Sequence, residues 1–551
     1  MFQRHTLCIQ NRRPGPLSQV RDDRLCPRSN LSIGKPNHPY HPSLRAVGRL
    51  YPPACKPYGL EAEPEAGVNQ SRALWTRIFT CALIVIIGIF SGRASAGEVM
   101  QLPGVVHVHS TFSSGKYSIG ELVSRAENKG LEVLILTDHD QVVMEYGLFP
   151  FRNLIKRREE RPSILLTGPE NYLAEIERLN KQQQSVLIIP GVQSSPFYYW
   201  TGNPFGQGLT AHDFSKEVLI VGMSNPDDYY GLPLLHGQLS TRYAKDLLPR
   251  FLIFSAAFFL SIYLISQKGK IGIGGVLIAI LSLAMMVNHH PFQSSRFDPY
   301  HGDQGEAPYQ DVIDYARSRG GMVFWAHPES NYSKNGVQMG PVKMMTDHYP
   351  DSLIDSENYT GFAALYGDTI TAAKAGMHWD RVLSEYCSGI RAHRVWGIAG
   401  ADYHAEENGV DLDTYQTIFL VENRESKDVL KALERGQFYA VRKAGGFRLV
   451  LDQFQIKDVP KGHKAVMGEE IRMDSSPVVE GRLSATDGGH HPVAVLIIRG
   501  GKPVWSFDGQ TPLNFQFVDS EPWTGKTFYR LDAGGKASGQ LLSNPIFVMR
   551  K

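Results

Sequence analysis

Histidine and aspartate residues stand at the ends of four short apolar runs. Imidazole and carboxylate groups are ligands for borderline divalent cations such as Zn, Mn or Fe. On a strand, two residues separated by one position point to the same face, so a His-x-His pair could chelate one ion. GVVHVH carries His107 and His109, LEVLILT leads to Asp138, His139 and Asp140, GGMVFWA leads to His327, and VWGIAGA leads to Asp402 and His404.

The segments between these runs predict helices, at Ser118–Lys129, 169–182 and Pro308–Ser318 among others. Apolar strands that alternate with helices indicate an α/β fold with a parallel sheet, closed into a barrel. The carboxyl ends of such strands lie on one face, where α/β barrels hold their sites. The sequence therefore predicts a site for one or two cations, with His107, His109, His139, His327, Asp402 and His404 as ligands.

In order and type, these residues resemble the PHP family (polymerase and histidinol phosphatase domains). The resemblance covers about 97–246 and 289–445. It implies a distorted (β/α)7 barrel, a two- or three-metal site and hydrolysis of phosphate esters. The matching motifs are His107-x-His109-Ser110, Thr137-Asp138-His139, Pro190-Gly191, Ala326-His327-Pro328 and Gly400-x-Asp402-x-His404.

The resemblance also implies roles. His107, His109 and Asp402 would hold one metal, His139 and His404 another, and His327 a third or bridging position. Metal-bound hydroxide would attack phosphorus. The expected catalytic residues are His107, His109, Asp402 and His404.

Three positions depart from the family pattern: Gln193 replaces a bridging glutamate, Ser114 replaces an aspartate, and Leu219 stands where a histidine often lies. Only one carboxylate then remains certain, which favours one tightly held metal, or two at most. Asp138 and Asp140 could compensate, and Arg391 and Arg394 could bind a substrate phosphate, although a solvated turn is the slightly favoured explanation for the two arginines. Further candidate ligands, more simply explained as exposed or interfacial, are His212, His236, His289, His290 and His301.

The N-terminal part of the sequence is unlike the rest. Residues 1–70 hold 10 Lys or Arg, 5 Asp or Glu and 10 prolines, which indicates a disordered basic leader or a start codon placed too early. Residues 71–96 follow with a basic start, an apolar run from Ile78 to Phe90 and Ala94-x-Ala96. This order is typical of a secretory signal peptide, with an uncleaved anchor as the alternative.

Two apolar runs, 247–266 and 271–288, interrupt the predicted barrel. Each matches the ~20 residues that a membrane-spanning helix needs. The short basic connection predicts an antiparallel hairpin with Lys268 and Lys270 on the cytoplasmic side. Residues 97–246 and 289–446 would then both lie on the extracytoplasmic (periplasmic) side, and a buried hairpin in a soluble domain is the alternative.

Residues 447–551 contain short alternating runs with no helical period, which predicts an all-β sandwich. The chain has 551 residues and a net charge of +2, so nothing favours a nucleic-acid partner. Its 5 cysteines form no CxxC pair, which argues against a cysteine-type zinc site.

Two functions remain open. The first is a membrane-embedded, metal-dependent hydrolase of a phosphate ester, with a phospholipid or lipid-linked phosphate as a candidate substrate. The second is a degenerate barrel that serves as a membrane-tethered binding or sensing module, for which Gln193, Ser114 and Leu219 are the arguments.

Overall fold

The structure is a computed structural model that describes residues 99–206, 208–368, 370–406 and 410–550. The expected leader (1–70) and signal peptide (71–96) lie outside these residues, as do Cys8, Cys26, Cys55 and Cys81. Cys387 is a half-buried free thiol.

The first part of the described chain is mixed α/β structure, as predicted. Its first helix begins after Ser118, whose hydroxyl accepts a hydrogen bond from the Glu121 amide, and the Glu121 carboxylate accepts one from the Ser118 amide in return. This reciprocal cap satisfies two amides that the helix start would otherwise leave unpaired. The strands are β1 (Met100–Val108), β2 (Val133–Leu136), β3 (Val142–Gly147), β4 (Lys156–Arg161), β5 (Leu187–Ile189), β6 (Gly191–Ser194), β7 (Tyr199–Asn203), β8 (Gly208–His212), β9 (Val218–Val221), β10 (Met322–Trp325), β11 (Val337–Met339), β12 (Val342–Met345), β13 (Gly361–Leu365), β14 (Trp396–Ala399), β15 (Tyr415–Val421) and β16 (Phe438–Arg442). The helices are α1 (Ile119–Asn128), α2 (Ile164–Thr167), α3 (Pro169–Gln182), α4 (Pro226–Tyr230), α5 (Ala244–Ile265), α6 (Lys270–Asn288), α7 (Ala307–Ser318), α8 (Ser352–Asp355), α9 (His378–Ser388) and α10 (Ser426–Arg435).

The residues that the sequence predicted at strand ends are divided between two sheets. In one, β1, β2 and β5 are parallel, and β15 joins β1 antiparallel. In the other, β10, β13 and β14 are parallel. Every residue of β2, β10 and β14 is buried, as expected for strands covered on both faces. Single bridges at Val108–Tyr403 and His139–Gln193 connect the two sheets.

Strand β9 runs opposite to the direction that the sequence predicted. It pairs antiparallel with both β6 and β10. The chain reaches β9 from β6 through the β7–β8 hairpin, and no crossover helix carries it back to the other edge. Because the strand is reversed, its first residues, and not its last, lie beside the carboxyl ends of its neighbours.

Helices α5 and α6 are long and apolar enough to cross a membrane, by length and composition. Their bounds are close to those of the predicted runs 247–266 and 271–288. The apolar windows of the two helices are only 6% and 17% buried, whereas the core helix of a soluble protein is mostly buried. The helices approach closely at Gly275, where a Cβ atom would lie 2.7 Å from the Ile265 nitrogen. A small residue at this point lets the two backbones meet.

The C-terminal part of the described chain is rich in strands. Its two sheets share one apolar core, with Leu451 and Val479 from one sheet and Val495, Leu531 and Val548 from the other. Strand β25 pairs with β16, so one 11-stranded sheet continues from the α/β part into this region. The strands are β17 (Leu449–Asp458), β18 (His463–Val466), β19 (Glu470–Met473), β20 (Val478–Ala485), β21 (Pro492–Arg499), β22 (Lys502–Gln510), β23 (Leu513–Val518), β24 (Gly525–Gly535), β25 (Gly539–Ser543) and β26 (Ile546–Arg550), with a 3-10 turn at Val459–Lys461.

A buried ion pair fastens β24 to α9. Arg530 donates from Nε and Nη2 to the two carboxylate oxygens of Asp380, at 2.6 and 2.8 Å. We expect Asp380→Ala to destabilise the protein by about 3–5 kcal/mol, because it leaves a buried guanidinium unpaired. Thermal unfolding of the purified protein measures this effect. The control is Arg381→Ala, which removes an exposed pair with Glu385 and costs less than about 1 kcal/mol; equal effects of the two variants would contradict the prediction.

Candidate metal centre

One carboxylate oxygen is the focus of three imidazoles. Oδ1 of Asp402 lies 3.1 Å from Nε2 of His107, 3.4 Å from Nε2 of His404 and 3.8 Å from Nε2 of His109. Ligand atoms of His107, His109 and Asp402 all lie within 4.8 Å of one another, as the ligands of one cation must. The carboxyl end of β1 and the segment after β14 therefore meet as the sequence predicted.

The other predicted histidines join this group. The ring of His109 stacks on His404 with centroids 4.1 Å apart and lies 4.7 Å from His139. The ring of His327 lies 5.5 Å from His107. The structure thus brings together all five imidazoles that the motifs singled out.

A second carboxylate, which the sequence analysis missed, lies beside them. Glu217 immediately precedes β9, and the reversal of that strand carries it to the site. Its carboxylate lies 3.3 Å from Nε2 of His327 and 3.8 Å from Nδ1 of His139. The expectation of a single certain carboxylate is therefore wrong, and two anionic groups, Asp402 and Glu217, are available to neutralise cations.

Gln193 connects the two halves of the site. Its Oε1 accepts a hydrogen bond from Nε2 of His107 at 2.6 Å, and its Nε2 donates to Glu217 at 2.5 Å. A ring nitrogen that binds a metal cannot also donate a hydrogen bond. Metal binding through Nε2 of His107 and this contact with Gln193 are therefore alternatives.

Three residues of the site have left-handed backbones. The φ angles are 72° at His107, 47° at Asp402 and 21° at His327. Strain of about 1–3 kcal/mol for such a residue persists where surrounding structure imposes it, and it is concentrated at functional sites. At His107 the pairing of β1 with β2 also shifts register, so regular alternation stops two residues before His109. The pair converges on Asp402 by this irregularity and not by the simple alternation that the sequence suggested.

Burial controls the protonation of the candidate ligands His107 and His109. It lowers the pKa of His107 to about 4 and lowers that of His109 well below its usual range. Both rings are therefore neutral at neutral pH, the form that binds metals. Burial alone would raise the pKa of Asp402, but its attraction to His107, which is protonated only at low pH, and its hydrogen bond with His404 hold that pKa well below the usual range.

The pKa values of His327 and Glu217 are set mainly by their contact with each other. Burial alone would lower the pKa of His327, but its hydrogen bond with Glu217 and the charge of Asp402 raise that pKa to about 9. Burial alone would raise the pKa of Glu217. Its hydrogen bond with His327 and its electrostatic interaction with His139 instead keep that pKa below the usual value. The positive charge that Glu217 attracts is supplied here by a proton on His327.

The residues present fit a divalent cation. Nε2 of His109 is buried and has no hydrogen-bond partner, which is costly for a polar atom unless something binds it. Five imidazoles and two carboxylates are the donor types that Zn, Mn and Fe accept. The set could hold one ion at His107, His109 and Asp402 and a second near Glu217.

Asp138 and Asp140 accept hydrogen bonds from neighbouring backbone amides and serine hydroxyls. The Asp138 carboxylate accepts hydrogen bonds from the Ser110 amide at 2.7 Å, the Ser110 hydroxyl at 2.8 Å and the Ser113 hydroxyl at 2.6 Å. It holds the loop after β1 in place. Asp140 accepts from the Gln141 amide, and burial raises its pKa to about 7. Glu217, and not either aspartate, is the second carboxylate beside His139 and His327.

The structure does not bring Arg391 and Arg394 to the site. Arg391 is buried and donates to the carbonyl oxygens of Leu353, Ile354 and Ser356. Arg394 donates to Tyr386 and to the Gly468 carbonyl in the C-terminal region. Their contacts are structural, and the phosphate-binding role expected for them has no support.

The histidines of the inserted region also have other partners. His212 bonds to Thr201 and His236 to Tyr198, at 2.8 and 2.9 Å. His301 lies 2.9 Å from Asp298, and the ring of His289 stacks on Phe254. His290, which follows His289 directly, is half-buried and lines no part of the cavity described next.

The candidate centre lies in the wall of a cavity of about 1410 Å³. His139, Glu217, His327, Asp402 and His404 all line this cavity, so a ligand in it would reach the site directly. The group is therefore accessible, although most of its members are buried.

Comparisons with known proteins give one match by sequence. Residues 106–231 match the PHP domain family. This range includes His107, His109, His139, Gln193 and Glu217 and ends before α5. No curated protein matches the chain.

Two solved structures show a weak likeness. A two-domain protein from Bacteroides vulgatus that contains a predicted PHP-like metal-dependent phosphoesterase is 11% identical, with a TM-score of 0.32, and the match covers 80% of this chain and 92% of that one. A protein from Bifidobacterium adolescentis, whose metal-dependent phosphoesterase activity is itself a prediction, is 12% identical, with a TM-score of 0.26 and coverage of 61% and 96%.

Proposed function

We propose, for a chain that carries a PHP domain at residues 106–231, that it is a metal-dependent hydrolase of a phosphate ester. The observation that carries the proposal is the convergence of His107, His109 and His404 on one oxygen of Asp402. Buried neutral imidazoles around an ionised carboxylate are suited to cation binding and serve little purpose in packing alone.

The residues of the site have different roles in this proposal. His107, His109 and Asp402 would hold one cation, while His139, His327 and Glu217 are suited to a second, with His404 beside both. A bound divalent cation would supply Lewis-acid polarisation of a phosphoryl oxygen. Gln193 orients Glu217 through its side-chain amide, and the serines on Asp138 fix the loop that carries His109 and Ser114.

The finer architecture is part of the proposal. Strands β1, β2, β6, β9, β10, β13 and β14 would close into a distorted (β/α)7 barrel, which the two bridges between the sheets support. Helices α5 and α6 would form a transmembrane hairpin within it, and residues 447–551 a β-sandwich. With residues 71–96 as a signal peptide or anchor, the barrel and the sandwich would lie on the periplasmic side.

The rival function, a membrane-tethered binding or sensing module, has one observation in its favour. The hydrogen bond from His107 to Gln193 satisfies a ligand nitrogen without metal. The other two departures lose their force. Leu219 lies within the reversed β9, where no ligand is needed, and the Ser114 hydroxyl contacts Nδ1 of His404 at 3.0 Å. We therefore favour the enzyme.

Metal-dependent turnover distinguishes the enzyme from the binding or sensing module. We expect the full chain, purified in detergent, to hydrolyse p-nitrophenyl phosphate or bis-p-nitrophenyl phosphate, to lose this activity on chelation and to regain it with Mn, Zn or Fe. Elemental analysis of the same samples counts the ions. Tight metal binding without turnover of either ester would favour the binding module, and a folded protein that binds no metal would contradict both the site and the enzyme.

A further inference from the structure

The cavity is larger and more apolar than a small phosphorylated substrate requires. Ligand sites commonly measure about 300–1,000 Å³, and this cavity measures about 1410 Å³. Away from the metal centre its wall is an apolar cluster in which Tyr198 and Trp200 are buried and Leu209, Phe214 and Leu235 pack against them. A polar headgroup would fill only the end of the cavity near the metal centre.

The rim of this apolar arm is formed by the loop between β3 and β4. Four large apolar side chains of this loop are exposed: Leu148 by 39%, Phe149 by 82%, Leu154 by 44% and Ile155 by 53%. Leu148 and Ile155 also line the cavity. Exposed apolar groups at the mouth of an apolar cavity are typical of a surface that meets another apolar phase.

The same loop is bonded to the end of α6. Asn153 donates from its amide to Oδ1 of Asn288 at 2.8 Å and from Nδ2 to the Asn288 carbonyl at 2.7 Å, and Asn288 donates to the Pro150 carbonyl. Asn288 is the last residue of α6 and is buried. If α6 crosses a membrane, its end lies at the bilayer surface, and these bonds hold the cavity mouth there.

The strand behind the rim suits an anionic surface. β4 reads Lys-Arg-Arg-Glu-Glu-Arg over Lys156–Arg161, and all six residues are exposed. Arg157 and Arg158 pair with Glu159 and Glu160, and Lys156 pairs with Glu145, so the strand carries a modest net charge of +2 (four basic and two acidic residues). Basic residues near a bilayer attract anionic headgroups. Apolar side chains at the tip with basic residues behind them match the layering of a lipid surface.

We propose that the cavity binds a membrane lipid with a phosphate ester headgroup, with the phosphate at the metal centre and the hydrocarbon chain in the arm lined by Tyr198, Trp200 and Leu209. The chain would pass from the bilayer beside Leu148 and Ile155. This inference rests on the proposed function, since it names the substrate class for that site.

Binding of alkyl phosphates tests the inference without using turnover. We would titrate the full chain in detergent with butyl phosphate and octyl phosphate by calorimetry. The expected result is at least roughly tenfold tighter binding of the octyl ester, because each added methylene loses water contact in the arm. Leu209→Gln should reduce this ratio severalfold, and so should Ile155→Gln, an exposed position where the fold tolerates change.

The matched control is Ile390→Gln, which alters an apolar side chain that is 79% exposed and lies outside the cavity. It should keep the wild-type ratio, and since detergent takes up the same share of ligand in every sample, differences among variants report the protein. Equal binding of the two esters alongside metal-dependent turnover would overturn the lipid inference and leave the enzyme standing. Chain-length preference without any turnover would support the lipid site and overturn the enzyme.

Discussion

Replacing His107 and His109 together with alanine is expected to remove the bound metal and abolish metal-dependent phosphoesterase activity. The two rings supply two of the three ligand atoms in the group of His107, His109 and Asp402, and the remaining carboxylate would not retain a divalent ion there. Lewis-acid stabilisation is worth several kcal/mol, and about 1.4 kcal/mol is tenfold in rate, so the loss should reach roughly 10³-fold. Elemental analysis and turnover of the chromogenic esters measure both effects.

A control with the same chemistry is available. His393 and His463 are exposed histidines, and their double replacement with alanine should leave metal content and turnover unchanged. Thermal unfolding should show that both double variants remain folded. Full activity in the His107→Ala/His109→Ala protein would reject the metal centre proposed here.

Glu217→Gln is expected to have the second largest effect. The amide keeps the size of the side chain but removes the anion that faces His327 and His139. We expect the metal count per chain to fall by one ion, with turnover reduced by at least roughly 100-fold, because a cation near these rings would lose its counter-charge. Elemental analysis and steady-state kinetics measure the two changes.

A rescue variant sharpens this prediction. Gln193 touches Glu217 on the neighbouring strand, so Gln193→Glu/Glu217→Gln exchanges the carboxylate and the amide across that contact. The double variant should recover part of the lost metal and activity, whereas Glu177→Gln, on an exposed face of α3, should change neither. Wild-type metal content and kinetics in Glu217→Gln would show that Asp402 alone is sufficient.

The histidines of the site could be predicted from sequence because each lies at, or just after, the carboxyl end of a buried strand. In a mainly parallel sheet, the carboxyl ends of such strands meet, so residue type and position were enough to group His107, His139 and Asp402. Helix bounds were equally accessible. Helix α3 begins at a proline after Gly168 and ends where its apolar period stops, at the predicted residues 169 and 182.

Glu217 was missed because an apolar run does not reveal its direction. The run EVLIVG was expected to belong to a parallel sheet, and within it only Leu219 was compared with the ligand pattern. A signal did exist upstream. Four aromatic residues at 197–200 are followed by turn-forming residues around Asn203-Pro204, which is typical of a hairpin, and a hairpin without a crossover helix reverses the next strand.

The backbone strain at the site had no sequence signal at all. Left-handed φ angles are usual for glycine, yet His107, His327 and Asp402 adopt them because the strands on either side impose the conformation. Patterns of residue types do not record such tertiary constraints.

The pairing of β16 with β25 has a consequence for the C-terminal region. Tyr439 and Val441 of β16 belong to the same apolar core as that region, and their strand uses its outer edge to bond to β25. A chain shortened to end at Arg442 would leave an open, apolar strand edge that invites intermolecular β-pairing. Residues 447–551 therefore cover a strand edge that would otherwise promote aggregation, and we expect the α/β part to need them to stay soluble.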